Sequence, residues 1–449
     1  MTHDAPSDLP SGYRLAPLTA DDKRAVLDLD LWAFPDSRSV DDLEAHPLPL
    51  TWDRTVGVVA EHDDAAAVPA DGAVPRASDL VAMHSSYPFA AFPVPGATLP
   101  VGGLTWVGVH PQHRRRGLLT AMIREHLRRC RDAGEPLSAL FAAEAAIYGR
   151  FGYGLAAYDL RLTVPRRAAL RDVPGAERHT VRVEHATRER HGDLVADLHE
   201  RAGRTAGGAT ADGTPVNRPG WVTRETPELV ETFWDDAPAF RDGRESLRIV
   251  VVELDGEPRG YARFRRSLTW EDAGPRGTVR TGEVVALDAA AARALWGVLV
   301  DLDLSHEVVP FVLPVDDVVT HLLVDQRSAT PRIADNQWVR VVDVAGALAG
   351  RRYPSPVDVV LHVSDELLPE NAGHWRLRAD AFGPATCERT DDPAELSLDV
   401  RELGAAYLGG ISLTALAAAG LVTEHAPGAL TRAAVAFGWP VSPGSSWTF

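Results

Sequence analysis

Cysteine is nearly absent: Cys130 and Cys387 are the only two in a chain of 449 residues. They lie far apart with no CxxC or Cys/His spacing around them, so neither a structural zinc site nor a disulfide framework is expected, and no metal is called for. Lysine is scarcer still, with Lys23 the only one; arginine carries the remaining positive charge, which we attribute to GC-rich coding rather than to mechanism. Positive charge as a whole is in deficit, 46 Lys plus Arg against 63 Asp plus Glu, for a formal net charge of −17. Such a chain lacks the footprint of sequence-independent nucleic-acid binding and leans towards cationic small partners. Long apolar runs are also missing. The most apolar stretch, about 409–422, falls short of the roughly 18 residues that suggest a membrane span and reads as a buried Ala/Leu helix. The first residues, Met1-Thr2-His3-Asp4-Ala5-Pro6, show neither a basic start nor an apolar core, so no secretory signal is visible and a cytoplasmic protein is expected.

What is present is ordinary for a soluble globular chain, 45% hydrophobic and 24% charged. At roughly 100 to 200 residues per domain, the length holds two to four domains. Helix and strand patterns alternate from Tyr13 to about Asp159. Asp21 and Asp22 precede an apolar stripe of Val26, Leu27, Leu29 and Leu31 that suits a helix, and 55–60 suits a strand. The Ala-, Asp- and Pro-rich segment 61–79 reads as a hairpin loop, with the second strand beginning near Leu80. A strand at 104–109 precedes a helix at 117–131, whose Leu119, Met122, Ile123, His126, Leu127 and Cys130 share a face, and then a buried strand at 137–142. A second block repeats that order: a hairpin around Asp255-Gly256, a strand at 282–287, a helix at 289–302 and a strand at 308–313 point to a duplicated fold. The last block begins near Trp338 and reads as α+β, with strands at 357–363, 373–377 and 396–400 and helices near 412–419 and 430–437.

The segment Val107-Gly108-Val109-His110-Pro111-Gln112-His113-Arg114-Arg115-Arg116-Gly117-Leu118-Leu119-Thr120 carries the most chemistry. A strand ends, a turn bears three arginines, and a helix starts at a glycine. Free backbone N–H groups and the positive helix end then converge on one spot, which suits a polyphosphate; the alternative is a solvated basic turn. The second signal is Glu144-Ala145-Ala146-Ile147-Tyr148-Gly149-Arg150-Phe151-Gly152-Tyr153-Gly154. Tyr148 in this string is a phenol of ordinary pKa ~10 and so a candidate proton donor at neutral pH; its alternative is a core tyrosine, the expected fate of Tyr153.

The arginine turn resembles the acetyl-CoA loop of the GNAT N-acetyltransferases, (R/Q)xxGxG/A, with Arg114 and Gly117 in place and Leu119 where the last small residue usually sits. The string IYGRFGYG resembles the Eis (enhanced intracellular survival) family of that superfamily, as do residues 338–344 and 371–377, Tyr407-Leu408-Gly409-Gly410 and the terminal Phe449. Small residues at Ala143, Ala145 and Ala146 depart from the Ser and Gly of the pattern. The resemblance implies two tandem GNAT-like domains, 1–165 with the acetyl-CoA site and a degenerate 166–335, followed by a sterol-carrier-like α+β domain, 336–449, usually in a hexamer. It implies that Val107, Gly108 and Val109 hold the pantetheine and that the amides of Arg115, Arg116, Gly117, Leu118, Leu119 and Thr120 hold the pyrophosphate beside Arg114. Ala143 and Glu144 would mark the strand that splays to admit acetyl-CoA. It further implies Tyr148 as general acid and the α-carboxylate of Phe449 as base, delivered by the last domain. His84, His110 and His113 remain alternatives for the base. Expected acceptors are amino groups of cationic small molecules, aminoglycoside-like or polyamine-like, and possible lysine side chains. Asp36, Asp41, Asp42 and Glu44, after Trp32 and Phe34, either line a polyamine pocket or form a solvated helix start. The second block reads Val284-Val285-Ala286-Leu287-Asp288-Ala289 at its matching helix start, with no arginine cluster and no glycine, so one acetyl-CoA per chain is expected. The rival reading is a lipid-binding or scaffold protein with degenerate GNAT folds.

Overall fold

A computed structural model describes residues 9–61, 80–211 and 213–449. The loop expected at 61–79 lies, apart from Glu61, outside the described residues. The first sheet begins with four antiparallel strands in chain order, β1 (Tyr13–Pro17), β2 (Val56–Ala60), β3 (Leu80–Val94) and β4 (Ala97–Val109). β5 (Leu137–Phe141) then joins β4 in parallel, after a crossover through the helix Leu118–Asp132. That helix lies within one residue of its expected ends, because its 3.6-residue apolar stripe is unbroken: Leu118, Met122, Ile123, His126, Leu127 and Cys130 are all buried. β3 and β4 are much longer than the 104–109 pattern suggests, since the chain folds back at Pro95-Gly96 and pairs along nearly its whole length.

The strand Gln337–Val341, which opens the last block in the sequence reading, is hydrogen-bonded inside the first sheet, between β5 and Gly154–Leu155. Its Val339 and Val341 are fully buried, and one continuous core runs from Tyr87 and Phe89 through them to Leu361, Leu403 and Phe437. Arg340, beside them, donates from Nη2 to both oxygens of Asp365 at 2.7 and 2.8 Å and from Nη1 to the Val341 carbonyl, and Asn371 Nδ2 donates to the same carboxylate at 3.0 Å. The last domain is therefore packed onto the first.

A second sheet carries the repeat. Gly274–Ala286, the helix Ala289–Asp301 and Ser305–Pro310 follow the same strand, helix, parallel-strand order as β4 to β5. Asp255 and Gly256 both take positive φ, 53° and 84°, which closes the expected hairpin with the turn twist that strands favour. A three-stranded sheet, with Tyr158–Arg161 between Leu313–Pro314 and Arg332–Asp335, bridges the two halves. The last domain is a five-stranded sheet with helices. Here one expectation fails: 409–422 is not one buried helix. Gly409 takes φ 86°, the helix Leu413–Ala418 buries only Leu413, and the chain then enters the strand Val422–Glu424. Among the described residues no helix is long and apolar enough to cross a membrane. Cys130 and Cys387 are both buried free thiols.

Candidate active site

β4 and β5 are hydrogen-bonded at only three positions, Val101 to Gly103 against Leu137 to Ala139, although β4 runs on to Val109. Beyond Gly103 the strands part. β4 also carries a bulge there: Met83 pairs with Gly108 and Ser85 with Thr105, so β4 holds one extra residue, and Trp106 absorbs it at φ 54°. The opening leads to a cavity of about 540 Å³. Its walls include Val107, Gly108 and Val109 from β4, Arg114, Arg115, Gly117, Leu118, Leu119 and Thr120 from the turn and helix, and Ala143, Glu144 and Tyr148 after β5.

The helix end at this cavity is open. Gly117 caps it at φ 84°, a conformation that favours glycine, and no side chain accepts a hydrogen bond from its first turn. The amides of Leu118, Leu119 and Thr120 have no intrahelical acceptor by geometry, since intrahelical bonding starts with Ala121 N–H donating to Gly117. Arg114 and Arg115 are exposed and have no side-chain partner among the described residues. Uncapped amides and two free guanidinium forks suit a pyrophosphate. Arg116 is different. It does not line the cavity but donates to Tyr13 Oη at 2.8 Å, and that hydroxyl also meets His113 Nδ1 at 2.9 Å. Ala33, Phe34, His113, Ile147 and Arg150 complete the wall, and of these only Ala33 is not among the residues that the sequence singles out.

Tyr148 begins a single 3-10 turn, Tyr148–Phe151, ended by Gly152 at φ 80°. Its ring packs edge-on to Tyr153, 5.9 Å between centroids, and its residue is only 8% exposed. Burial, and then the Glu144 carboxylate, push its phenol up to about 12. The phenol is thus neutral at physiological pH and available as a donor. Tyr153, by contrast, is fully buried and bonds Ser138 Oγ at 2.8 Å, in a chain that continues to His126 Nε2 at 2.7 Å. It belongs to the core.

The C-terminal tail packs against the first domain through Phe449. Phe449 does not line the 540 Å³ cavity; its ring sits where β4 and β5 part, 4.8 Å from Phe89 and 4.9 Å from Phe141 between centroids. A Cβ at Gly103 would clash with the Phe89 ring and stand 3.2 Å from the Phe449 ring, so the missing side chain makes room first for Phe89, the ring against which the tail packs. The tail is not frayed. Trp447 Nε1 donates to Val222 at 2.8 Å, Ser445 N–H donates to Asn336 at 3.1 Å, and Ser446 Oγ donates to Glu283 at 2.9 Å.

Family models described as acetyltransferase (GNAT) domain match residues 14–156 and 220–341, and one described as sterol carrier protein domain matches 344–445. The chain is 45% identical over 351 residues to an uncharacterized N-acetyltransferase of Streptomyces avermitilis, covering 78% of this chain and 81% of that one. With N-acetyltransferase Eis of Mycobacterium tuberculosis it shares 35% identity over 395 residues, 86% of this chain and 90% of the relative. The chain belongs to the Eis family of GNAT N-acetyltransferases. The crystal structure of Eis1 from Mycobacterium abscessus agrees in fold at a TM-score of 0.74, with 30% identity across 97% of this chain and 100% of that one.

The Eis-type duplication makes the second helix start a control for the first. There Asp288 caps the helix Ala289–Asp301, its carboxylate accepting from Ala291 N–H at 2.9 Å and pairing with Arg259 at 2.6 Å. A carboxylate already occupies the place a phosphate would take. The adjoining cavity is lined by Asp316 and Asp317, by Arg218 paired with Asp316, and by Pro440 and Val441 of the tail. Of the histidines near the first opening, His84 is buried and held down to about 4 by desolvation, His110 accepts from Gln112 N–H at its turn, and His113 lines the cavity. The acidic residues after Phe34 are engaged locally: Asp36 with Arg38, Asp41 and Glu44 with Arg24, and Asp42 in a capping box with Ser39.

Proposed function

We propose that each chain binds one acetyl-CoA in the 540 Å³ cavity and transfers its acetyl group directly to an amino group of a cationic small molecule, aminoglycoside-like or polyamine-like, or to a lysine side chain. The observation that carries this is the convergence, on one cavity, of the uncapped helix end, two unpartnered arginines, the free edge of β4 and the Tyr148 phenol. When bound, acetyl-CoA supplies the thioester. Arg114, Arg115 and the amides of Gly117 to Thr120 would hold the pyrophosphate, and Val107 to Val109 the pantetheine. The amine nitrogen attacks the thioester carbonyl carbon and the C–S bond breaks. The nitrogen loses a proton to the Phe449 α-carboxylate, directly or through water, and the departing thiolate takes one from Tyr148 Oη. Burial that keeps Tyr148 protonated supports the acid role. The seat of the Phe449 ring at the mouth between β4 and β5 supports the base role, because a terminus packed there is held rather than frayed.

The division into an acetyl-CoA domain, 1–165, a second GNAT-like scaffold, 166–335, and a tail-delivering sterol-carrier-like domain, 336–449, belongs to the same reading, as do a cytoplasmic location and a homohexamer. Calorimetric titration with acetyl-CoA, followed by acetylation of an acceptor panel, tests it. One site per chain and turnover on polyamines or aminoglycosides are expected. Absence of acetyl-CoA binding would leave the lipid-binding scaffold as the better reading.

A further inference from the structure

Outside the acetyl-transfer site, arginines collect around a second cavity of about 890 Å³ in the middle of the chain. Arg161, Arg244, Arg263, Arg265, Arg280 and Arg332 line it, and no Asp or Glu does. In a chain where acids outnumber bases 63 to 46, an acid-free wall with six guanidinium groups is not a sample of the average surface.

The strand registers sharpen the point. Arg265 stands directly opposite Arg280 across the long hairpin of the second sheet. Arg161 stands directly opposite Arg332 in the three-stranded bridging sheet. Like charges directly opposite on neighbouring strands are destabilising, and here two separate sheets present such a pair to the same space. Local carboxylates answer only part of the charge: Asp159 pairs with Arg161, Asp236 with Arg265 and Asp242 with Arg244. Arg280 and Arg332 have no hydrogen-bonded carboxylate among the described residues, and Arg263 lies near the Glu283 carboxylate without a hydrogen bond to it. Arg263 is 7% exposed and donates only to the Phe233 carbonyl. Three buried polar atoms on this wall, Arg263 Nε, Arg265 Nε and Thr281 Oγ1, have no hydrogen-bond partner. Unmade bonds at buried groups are costly and are ordinarily satisfied by something.

We propose that this cavity is a binding site for a small polyanion carrying two or more phosphate or carboxylate groups, held between the Arg265/Arg280 and Arg161/Arg332 pairs. Guanidinium forks match both kinds of anion, and two pairs on facing sheets require at least two anionic groups to neutralise them. The site is independent of the acetyl-CoA cavity, sharing no lining residue with it.

The test uses the full chain saturated with acetyl-CoA, so that the first cavity is occupied, and follows calorimetric binding and the unfolding midpoint with inorganic pyrophosphate and, separately, citrate. At least one of the two should bind and raise the midpoint; pyrophosphate alone would assign the site to phosphates, citrate alone to carboxylates. The R280A/R332A protein, altered at two exposed positions, should bind that anion at least about tenfold more weakly while keeping acetyl-CoA affinity. Its ligand-free midpoint should equal or exceed that of the unaltered protein, because each change removes one member of a repelling pair. The proposal is overturned if neither anion binds, if the altered protein binds as well as the original, or if the two changes alter only the oligomeric mass, which would make the wall a subunit contact.

Discussion

The tail that carries Phe449 can be cut loose at Glu283, a residue of the second sheet far from it in sequence. Glu283 is buried and accepts hydrogen bonds from Arg224 at 2.8 Å, Tyr261 at 2.9 Å and Ser446 of the tail at 2.9 Å. His199 Nε2 meets the same Ser446 hydroxyl at 2.8 Å, and the Arg224 guanidinium lies 4.8 Å from the Trp447 ring centroid. Burial alone would raise the Glu283 carboxyl, yet Arg224, His199 and Arg263 hold it down to about 2 from an ordinary 4.5. That contribution to stability is present above pH 4.5 and lost as pH falls towards 2. Removing one partner of a buried ion pair costs about 3–5 kcal/mol. Glu283→Gln keeps the shape, discharges the group and turns an acceptor into a donor facing Arg224. Urea denaturation should therefore show a loss of about 3 kcal/mol at pH 7. If the tail positions the catalytic carboxylate, kcat of the protein still folded should fall at least about tenfold, while acetyl-CoA affinity holds because no cavity-lining residue is touched. Ser446→Ala is the gentler companion, costing about 1 kcal/mol with the ion pair intact. Unchanged stability and unchanged kcat in Glu283→Gln would refute the anchor.

Arg115→Glu should raise the acetyl-CoA KM at least about tenfold, whereas Arg116→Glu should do far less, because Arg116 is turned to Tyr13; equal effects would mean that the turn rearranges when the cofactor binds. Tyr148→Phe should preserve acetyl-CoA affinity and lower kcat, and in the unaltered protein no alkaline loss of rate attributable to Tyr148 should appear below about pH 10, since its phenol titrates near 12. Extending the chain by a few residues beyond Phe449, or amidating the terminus, moves or neutralises the proposed base and should abolish turnover with acetyl-CoA affinity retained. Phe449→Ala should be milder, because a carboxylate remains at that chain position. Full activity with an extended tail would return the search for the base to a histidine or Glu144.

How much of this was legible in the sequence depends on whether the signal is local. The helix Leu118–Asp132 and the arginine turn could be read because an apolar period and a glycine start are contiguous in the chain. Arg116 looked equivalent to its neighbours and is not, since what turns it away is Tyr13, about a hundred residues earlier. The strand Gln337–Val341 was recognisable as a strand, but nothing in its own residues shows that its partners are Leu137–Phe141 and Gly154–Leu155 rather than the strands that follow it. The Ala/Leu stretch at 409–422 misled because composition gave an apolar average while the glycines at 409 and 420, both at positive φ, interrupt any helix there. The Glu283 anchor and the six-arginine cavity draw on segments scattered between residues 161 and 446, and each arginine alone reads as a solvated charge. Only strand register turns four of those charges into two repelling pairs.

Strand order is shared by the two copies of the duplicated fold, and the capping of their crossover helices is not. Both copies keep the strand, the crossover helix and the short parallel pairing, so both keep a helix N-terminus aimed at the space where the strands part. In the first copy Gly117 leaves those amides open, which costs helix stability that an Asn, Asp or Ser cap would have supplied. In the second copy Asp288 provides that cap, and a phosphate would have to displace a carboxylate already paired with Arg259, then face Asp316 and Asp317 across the cavity. The cap carboxylate and Asp317 therefore oppose an anion at the second site, and the one arginine lining that cavity, Arg218, is already paired with Asp316 at 2.6 Å. The tail lines that space through Pro440 and Val441 on its way to the Glu283 anchor and the place where β4 and β5 part. The capped and acid-lined second copy is thus free to act as the surface that guides the chain end, a task that requires apolar contact and one well-placed acceptor rather than a phosphate cradle.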